Sequence, residues 1–272
     1  MIKEAAKILK EATAILIGAG AGIGVDSGLP DFRSKEGFWN CYPPYKKLNL
    51  NFHDLANPSI FHTDPSLAWG FYGHRINMYK NTEPHKGFSI LKKWASRIND
   101  NVFIYTTNVD QQFQKAGFSS DKIVEVHGDI NTLQCTSECG YGRFNKELNL
   151  DTDLESMRIV GDLPSCPNCG RMIRPNVLMF NDWSFNDGTP KQQFNRFQSW
   201  TNTLPNQKLA ILEIGVGTKI PVVRIQCELL ASFMRVPNIR INLNECNTND
   251  DNICLQMRSV DALTKLDEII GE

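Results

Sequence analysis

The chain reads as an α/β protein on a doubly wound, Rossmann-like parallel sheet, with a helical insertion and a smaller zinc-binding module. Three observations predict this. Short apolar runs alternate with helix-periodic segments. A polar or glycine-rich cluster follows each run. Two close cysteine pairs, Cys135 with Cys139 and Cys166 with Cys169, lie between the third and fourth runs. The runs are Ala14 to Ile17, Val102 to Tyr105, Ile123 to Val126, Leu209 to Ile214 and Ile239 to Leu243. Past their carboxyl ends stand Gly18, Asn108, His127, Gly215 and Asn244. In an open parallel sheet those ends share one edge, and ligands bind there where strand order reverses. Five separate segments are expected to converge on one cofactor.

Taken in order, Met1 to Ala12 places Ile2, Ala5, Ala6, Leu9 and Ala12 on one helical face. The first strand then runs into Gly18, Gly20, Gly22, Gly24 and Gly28, glycines that let backbone amides approach an anion such as a pyrophosphate. The spacing is not G-x-G-x-x-G, because Ile23 and Val25 stand where the third glycine would be, so an ordinary dehydrogenase loop is a poor match. Gly37 to Pro84 is rich in aromatics and reads as helical. Within it Tyr72 and Arg75, three apart, share one face, which by itself predicts no more than an amphipathic helix with a solvated arginine. His53, His62, His74 and His85 read as loop and helix-surface histidines. Gly87 to Ile98 is a helix on Phe88, Leu91, Trp94, Ala95 and Ile98. Asn145 to Leu163 lacks apolar periodicity and is expected to loop out.

Composition excludes several classes. With 29 basic and 30 acidic residues in 272 there is no basic excess for nucleic acid. The N-terminal apolar stretch is broken by glycines too soon for a signal peptide or membrane span. The expected setting is the cytoplasm. Eight cysteines then read as metal ligands plus reduced thiols, with Cys41, Cys227, Cys246 and Cys254 as small core residues. Cys135-x-x-x-Cys139 and Cys166-x-x-Cys169, flanked by Gly140, Pro167 and Gly170, fit two knuckles around one structural zinc. Reduced thiols or a redox pair are the alternatives.

At the strand ends, Asn108 and Asp110 with His127 bring an amide, a carboxylate and an imidazole to one crevice. From Gly20, the stretch GAGIGVDSGLPDFR resembles the first signature of the sirtuins, the NAD-consuming protein lysine deacylases. The resemblance continues through Thr107 to Asp110, Ala116-Gly117, His127-Gly128, the cysteine pairs, Arg174 to Phe180, the Gly215 loop and Asn242.

It implies NAD as co-substrate and an acyl-lysine protein or peptide as substrate, and a monomer is expected. Gly20, Ala21, Gly22, Gly215, Val216 and Asn242 would hold the adenosine and pyrophosphate half. Asp31, Phe32 and Arg33 would line the nicotinamide and ribose pocket, with Asp110 on the carboxamide. Asn108 would position the ribose and a water, and His127 would be the general base. The acyl-lysine strand would lie along Leu178 to Asp182, with Leu178 and Phe180 against it, and Tyr72 and Arg75 would favour acidic acyl groups such as succinyl. The cofactor domain is expected over 1–40, 86–134 and 205–272. The small domain would combine the insertion, 41–85, with the zinc module and substrate segment, 135–204.

The chain departs from the sirtuin pattern in five places, the first being the extra residue between Cys135 and Cys139. Gly24 stands for serine, Thr107 for glutamine, and Asn181-Asp182-Trp183 for glycine-glutamate. The loop GVGTKIPV is similar to one in macrodomain-linked sirtuins that transfer ADP-ribose to proteins, a group that lacks the histidine present here as His127. A protein ADP-ribosyltransferase and a non-catalytic NAD or ADP-ribose sensor are therefore the competing readings.

Overall fold

A computed structural model describes residues 1–30, 35–137, 139–246 and 252–271. In chain order its elements are α1 (Ile2–Glu11), β1 (Ala14–Ala19), α2 (Lys35–Cys41), α3 (Pro43–Lys47), α4 (Phe52–Leu55), α5 (Ile60–Thr63), α6 (Pro65–Asn81), α7 (Lys86–Arg97), β2 (Val102–Thr106), α8 (Gln112–Lys115) and β3 (Ile123–Glu125). There follow β4 (Gly128–Cys135), β5 (Arg143–Asn145), β6 (Asp151–Asp153), β7 (Arg158–Val160), β8 (Ile173–Val177), α9 (Gly188–Thr201), β9 (Leu209–Ile214), α10 (Val222–Met234), β10 (Asn238–Ile241), β11 (Ile253–Leu255) and α11 (Ser259–Gly271). The described chain divides into two compact units, one of Met1–Leu29, Glu83–Val126 and Pro190–Glu272, the other of Pro30–Thr82 and His127–Thr189.

The first unit is a sheet in the order β11-β10-β9-β1-β2-β3, every neighbour parallel. Central strands of such a sheet are covered on both faces, which is why β1 and, but for Glu213, β9 are continuous apolar runs rather than alternating ones. Side chains still alternate between faces. Ile15, Ile17 and Ala19 of β1 join a core with Ala5, Leu9, Phe88, Leu91, Trp94 and Leu263, while Ala14 and Leu16 join Phe197, Trp200, Val223 and Leu230. Close approach of α10 to β1 requires glycine at Gly18, where a Cβ would lie 2.3 Å from Cys227 Sγ. The chain runs outward through β2 and β3, then returns to β9 on the other side of β1 and runs outward again. Strand order thus reverses between β1 and β9, the doubly wound pattern expected from the sequence.

The second unit holds α2 to α6, an antiparallel sheet in the order β5-β4-β8, and the β6–β7 hairpin. Helix α6 is buried on most of its surface, from Leu67 through Gly73 and again at Arg75, Ile76 and Tyr79. Among the described residues no helix is long and apolar enough to cross a membrane.

Three sequence expectations change here. Asn145 to Leu163 does not loop out. It contains β6 and β7, whose pairing of Thr152 with Ile159 is stabilised against α6, a tertiary contact that leaves no periodicity in so short a strand. Ile253–Leu255 adds an edge strand beside β10. The four remaining cysteines are not all free core thiols: Cys246 and Cys254 are joined as a disulfide, and Cys41 is exposed. Only Cys227 is a buried free thiol of the kind expected.

Candidate functional site

At the switch point of the first unit two loops meet backbone to backbone. The turn after β1 is a 3-10 helix over Ala21–Ser27. Gly20 N–H donates to Ile214 O and Gly22 N–H to Gly215 O, each at 3.0 Å. A Cβ on Gly20 would lie 2.7 Å from Gly215 O, and one on Gly215, whose φ is +62°, would lie 2.3 Å from Ile23 N. These glycines are therefore required first by the approach of one loop to the other. Ala21 and Val25 remain exposed on the turn while Ile23 and Gly24 face inward. Asp31, Phe32 and Arg33, assigned to the nicotinamide pocket, lie outside the described residues.

The β2 end is built in the same way. Thr106 Oγ1 donates to Ala19 O and accepts from Asn108 N–H, and Asn108 Nδ2 donates to Gly20 O at 3.1 Å. Asn108 is thereby fixed, half-buried, beside the glycine turn. Asp110 Oδ1 accepts the Gln112 N–H at 3.0 Å, so this carboxylate starts α8. Asn242 is buried. Its Nδ2 donates to Val216 O at 2.7 Å, and its Oδ1 accepts from the amides of Asn244 and Glu245. Its amide shapes the Gly215–Val216 loop and the turn after β10.

Below that loop lies a charge cluster that the sequence reading passed over. Arg224 NH2 donates to the carbonyls of Val216 and Glu245 and lies 3.4 Å from Glu213. Glu213, fully buried, also accepts from Arg240 at 2.6 Å and Asn238 at 3.2 Å. A signal was available: Glu213 is the one charged residue in an otherwise apolar strand, and a carboxylate there needs buried partners.

In the second unit His127 opens the approach to β4. Its carbonyl accepts the Leu178 N–H at 2.9 Å, and burial pushes the imidazole pKa down to about 4. Phe180 N–H donates to Ala56 O, and the Phe180 ring stacks on His53 at 4.1 Å. Leu178 is partly exposed. The departure at Asn181-Asp182-Trp183 is a clamped turn, in which Asp182 takes a 2.8 Å ion pair from Arg174, both side chains being buried. Trp183 stands out in solvent.

Tyr72 and Arg75 are not on a solvated face. Both are buried. The Arg75 guanidinium lies 5.2 to 5.8 Å from the rings of Phe71, Tyr79, Tyr72 and Phe52 and donates twice to the Tyr79 hydroxyl. Such cation–π contacts hold a buried guanidinium charged. Among the described residues the buried Tyr72 hydroxyl has no hydrogen-bond partner, and burial raises its pKa to about 12, so it stands as an unused donor.

The four cysteine Sγ atoms of Cys135, Cys139, Cys166 and Cys169 lie within 4.8 Å of one another, with Cys135 to Cys169 at 3.6 Å and Cys139 to Cys166 at 3.7 Å. Tetrahedral zinc with Zn–S near 2.3 Å sets its sulfurs about 3.8 Å apart, so the donor set fits zinc. Ser137 N–H donates to Cys135 Sγ, stabilising a thiolate. Four thiolates fill the coordination sphere, so such a site folds the module and leaves no position for substrate.

Comparison with known proteins agrees. An NAD-dependent protein deacylase of Pyrococcus furiosus is 34% identical over 182 residues, covering 67% of this chain and 66% of the relative. This chain therefore spans just under two thirds of that relative's length. A deacylase of the same description from Candida albicans is 29% identical over 260 residues, covering 81% of this chain and 80% of the relative. A crystal structure of a Sir2 homologue with NAD superposes with a TM-score of 0.74 at 23% identity, over 98% of this chain and 93% of that one, a likeness of fold. The Sir2 family profile matches from the first glycine turn into α9, residues 20–200, and on that match the chain belongs to the Sir2 family.

Proposed function

We propose that this chain is an NAD-dependent protein lysine deacylase that moves the acyl group of an acyl-lysine onto ADP-ribose with release of nicotinamide. The deacylase relatives from Pyrococcus furiosus and Candida albicans support the activity. The observation that carries it is His127. Val126 N–H donates to Thr106 O at 2.9 Å, so the chain is tied to the carboxyl end of β2 one residue before the imidazole. Burial keeps that imidazole unprotonated at neutral pH, the state a general base on a ribose hydroxyl requires.

In this reading the exposed turn at Ala21, with Gly20, Gly22, Gly215 and Val216, holds the pyrophosphate and adenosine end, and Asn242 shapes the loop that does so. Asn108 positions the ribose, and Asp110 with Asp31, Phe32 and Arg33 takes the nicotinamide end. Bound NAD supplies the labile glycosidic bond. Leu178 and Phe180 flank the acyl-lysine strand, which adds by backbone hydrogen bonding. The unpartnered Tyr72 hydroxyl beside Arg75 favours an acyl group ending in a carboxylate.

The test is incubation with NAD and acetyl-, succinyl- and long-acyl-lysine peptides, with products identified by mass spectrometry. Nicotinamide and O-acyl-ADP-ribose are expected. His127→Ala should lower deacylation by about 10²- to 10⁴-fold with circular dichroism and zinc content unchanged. ADP-ribose attached to a protein acceptor, or full activity in His127→Ala, would overturn the assignment.

A further inference from the structure

One imidazole joins two elements of the first unit. His85 precedes α7 with extended φ −67° and ψ 167°, and its Nδ1 accepts the Gly87 N–H at 3.0 Å. An imidazole thus fills the N-cap position usually held by Ser, Thr, Asp or Asn. The same ring's Nε2 lies 2.9 Å from the carbonyl oxygen of Ile23, inside the turn after β1. His85 also donates its backbone N–H to Ser27 Oγ at 3.0 Å.

These partners decide the tautomer. Nδ1 faces a donor and must be a lone pair, whereas Nε2 faces an acceptor and must carry hydrogen, so the ring is neutral with its proton on Nε2. The seat is shaped for it. A Cβ on Gly87 would lie 2.5 Å from His85 Cε1 and 2.8 Å from Leu263 Cδ1, and the Phe88 ring meets the imidazole edge-on at 5.0 Å. The turn has two other anchors, Gly22 to Gly215 O and Asp26, which accepts from Val260 N–H and Arg258. His85 ties down the middle of the turn at Ile23 and its end at Ser27.

We propose that His85 is a positioning residue for the nucleotide-binding turn: as a neutral imidazole it locks Ala21–Ser27 onto the N-terminus of α7 and thereby sets the affinity for the ADP-ribose part of NAD. This rests on the NAD reading given above. His85 touches no reacting atom and acts through the amides of the turn. A proton added at Nδ1 would point at the Gly87 N–H, so protonation breaks the cap and loosens the turn.

Among the described residues the charge that acts on the ring is Asp26 on the turn, which in turn pairs with Arg258 at 3.2 Å. The neighbours from α7 are Gly87 and Phe88, with Leu263 of α11 on Gly87. Burial holds the His85 pKa below its ordinary value, against the pull of the Ile23 carbonyl and Asp26. The neutral contact is therefore complete above the ordinary histidine pKa of about 6.5 and is lost as pH falls through the lowered value.

The experiment is calorimetry of the full chain with ADP-ribose across that pH range, for the wild type, His85→Ala and His85→Gln. Glutamine can offer its oxygen to Gly87 and its NH2 to Ile23 but cannot take the proton. His85→Ala should weaken binding about tenfold at neutral pH, and His85→Gln should stay within about threefold while abolishing the affinity loss that the wild type shows on acidification. Tight binding by His85→Ala, or an unchanged acid-side slope in His85→Gln, overturns the proposal.

Amide hydrogen exchange of residues 21–28 without nucleotide separates this idea from the NAD reading. Should the wild type bind no ADP-ribose, the NAD reading fails. Faster exchange confined to 21–28 and the first turn of α7 in His85→Ala still supports the positioning role, and unchanged exchange ends it. Should His85→Ala fail to fold, the His85→Gln acid-side slope decides, or its exchange at 21–28 when no nucleotide binds.

Discussion

In the first unit a strand such as β9 is buried at all six of its residues and bonded on both flanks, to β1 and β10. In the second unit β7 buries one residue of three and has one partner strand, β6. The first unit therefore gains its rigidity from a continuous ladder with apolar clusters on both faces. The second has smaller sheets, of three strands and of two, and it relies on cross-links between side chains: four thiolates, the Arg174–Asp182 pair, the Arg158–Asp64 pair and the rings around Arg75. Backbone geometry at a sheet edge suits binding a nucleotide by its phosphates, while a unit made of clamped turns suits presenting individual side chains. The two should fail under different attacks.

Removing the metal should have the largest effect. Structural zinc contributes apparent folding free energies of about 10–16 kcal/mol in small peptides near neutral pH, as much as the whole net stability of a typical domain. Chelation, or Cys166→Ser, should abolish exchange protection in β4, β5 and β8 and leave β1, β2 and β9 protected. Hydrogen exchange with and without a chelator reads both units in one sample. Undiminished protection of β4 and β8 in metal-free protein would show that the thiolates are not what holds the second unit.

The first unit is vulnerable at its buried charges instead. Glu213→Gln removes the buried charge that Arg240 shares with the partly exposed Glu228, and takes from Arg224 the carboxylate behind its two carbonyl contacts. Breaking a buried pair from one side costs about 3–5 kcal/mol. The loss should appear in urea unfolding followed by exchange at β9 and β10. The same neutralisation at Asp64 should cost far less. Its bidentate partner Arg158 holds the Asp64 pKa below the ordinary range, but both side chains are more than one-third exposed and water screens the pair.

How much of this could be read from residues alone follows the same division. Strands β1 and β2 announce themselves because burial on both faces favours continuous apolar runs, and β9 and β10 do so despite the charges of Glu213 and Arg240 because apolar residues fill most of the remaining positions. The cysteine pairs announce the metal because thiolate spacing is a local requirement. The β6–β7 hairpin does not, since Thr152 and Ile159 mean nothing until α6 is beside them. Cys246 and Cys254 gave no sign of pairing across eight residues. Asn242 comes to the ligand only through the resemblance, and its bonds to Val216 and the following turn are tertiary contacts that no local pattern foretells. His85 reads from the sequence as a surface histidine, whereas its ring bonds Gly87 and Ile23. The one local hint was its place just before a helix with glycine two residues on, the N-cap geometry in which Nδ1 can accept.

The smallest effect tests whether that hairpin is as closely fitted as the contacts indicate. Two glycines of α6 face it, and they should respond in opposite senses. A Cβ at Gly70 would lie 2.0 Å from the Met157 carbonyl oxygen and 2.8 Å from Arg158 Cα, backbone atoms that can yield only by moving the hairpin. At Gly73 the nearest atoms are Leu150 Cβ at 3.2 Å and Leu150 Cδ1 and Thr152 Oγ1 at 3.4 Å, of which the latter two belong to side chains that can turn aside. Replacing a helical glycine with alanine gains about 1 kcal/mol of helix propensity, whereas overpacking costs about 1–3 kcal/mol. Gly70→Ala should therefore lower the melting temperature of the zinc-loaded protein and speed exchange at β6 and β7, while Gly73→Ala should be neutral or raise it slightly. Equal responses at the two positions would mean that the hairpin rides loosely on α6, and the second unit would then depend on its metal even more than the cross-links suggest.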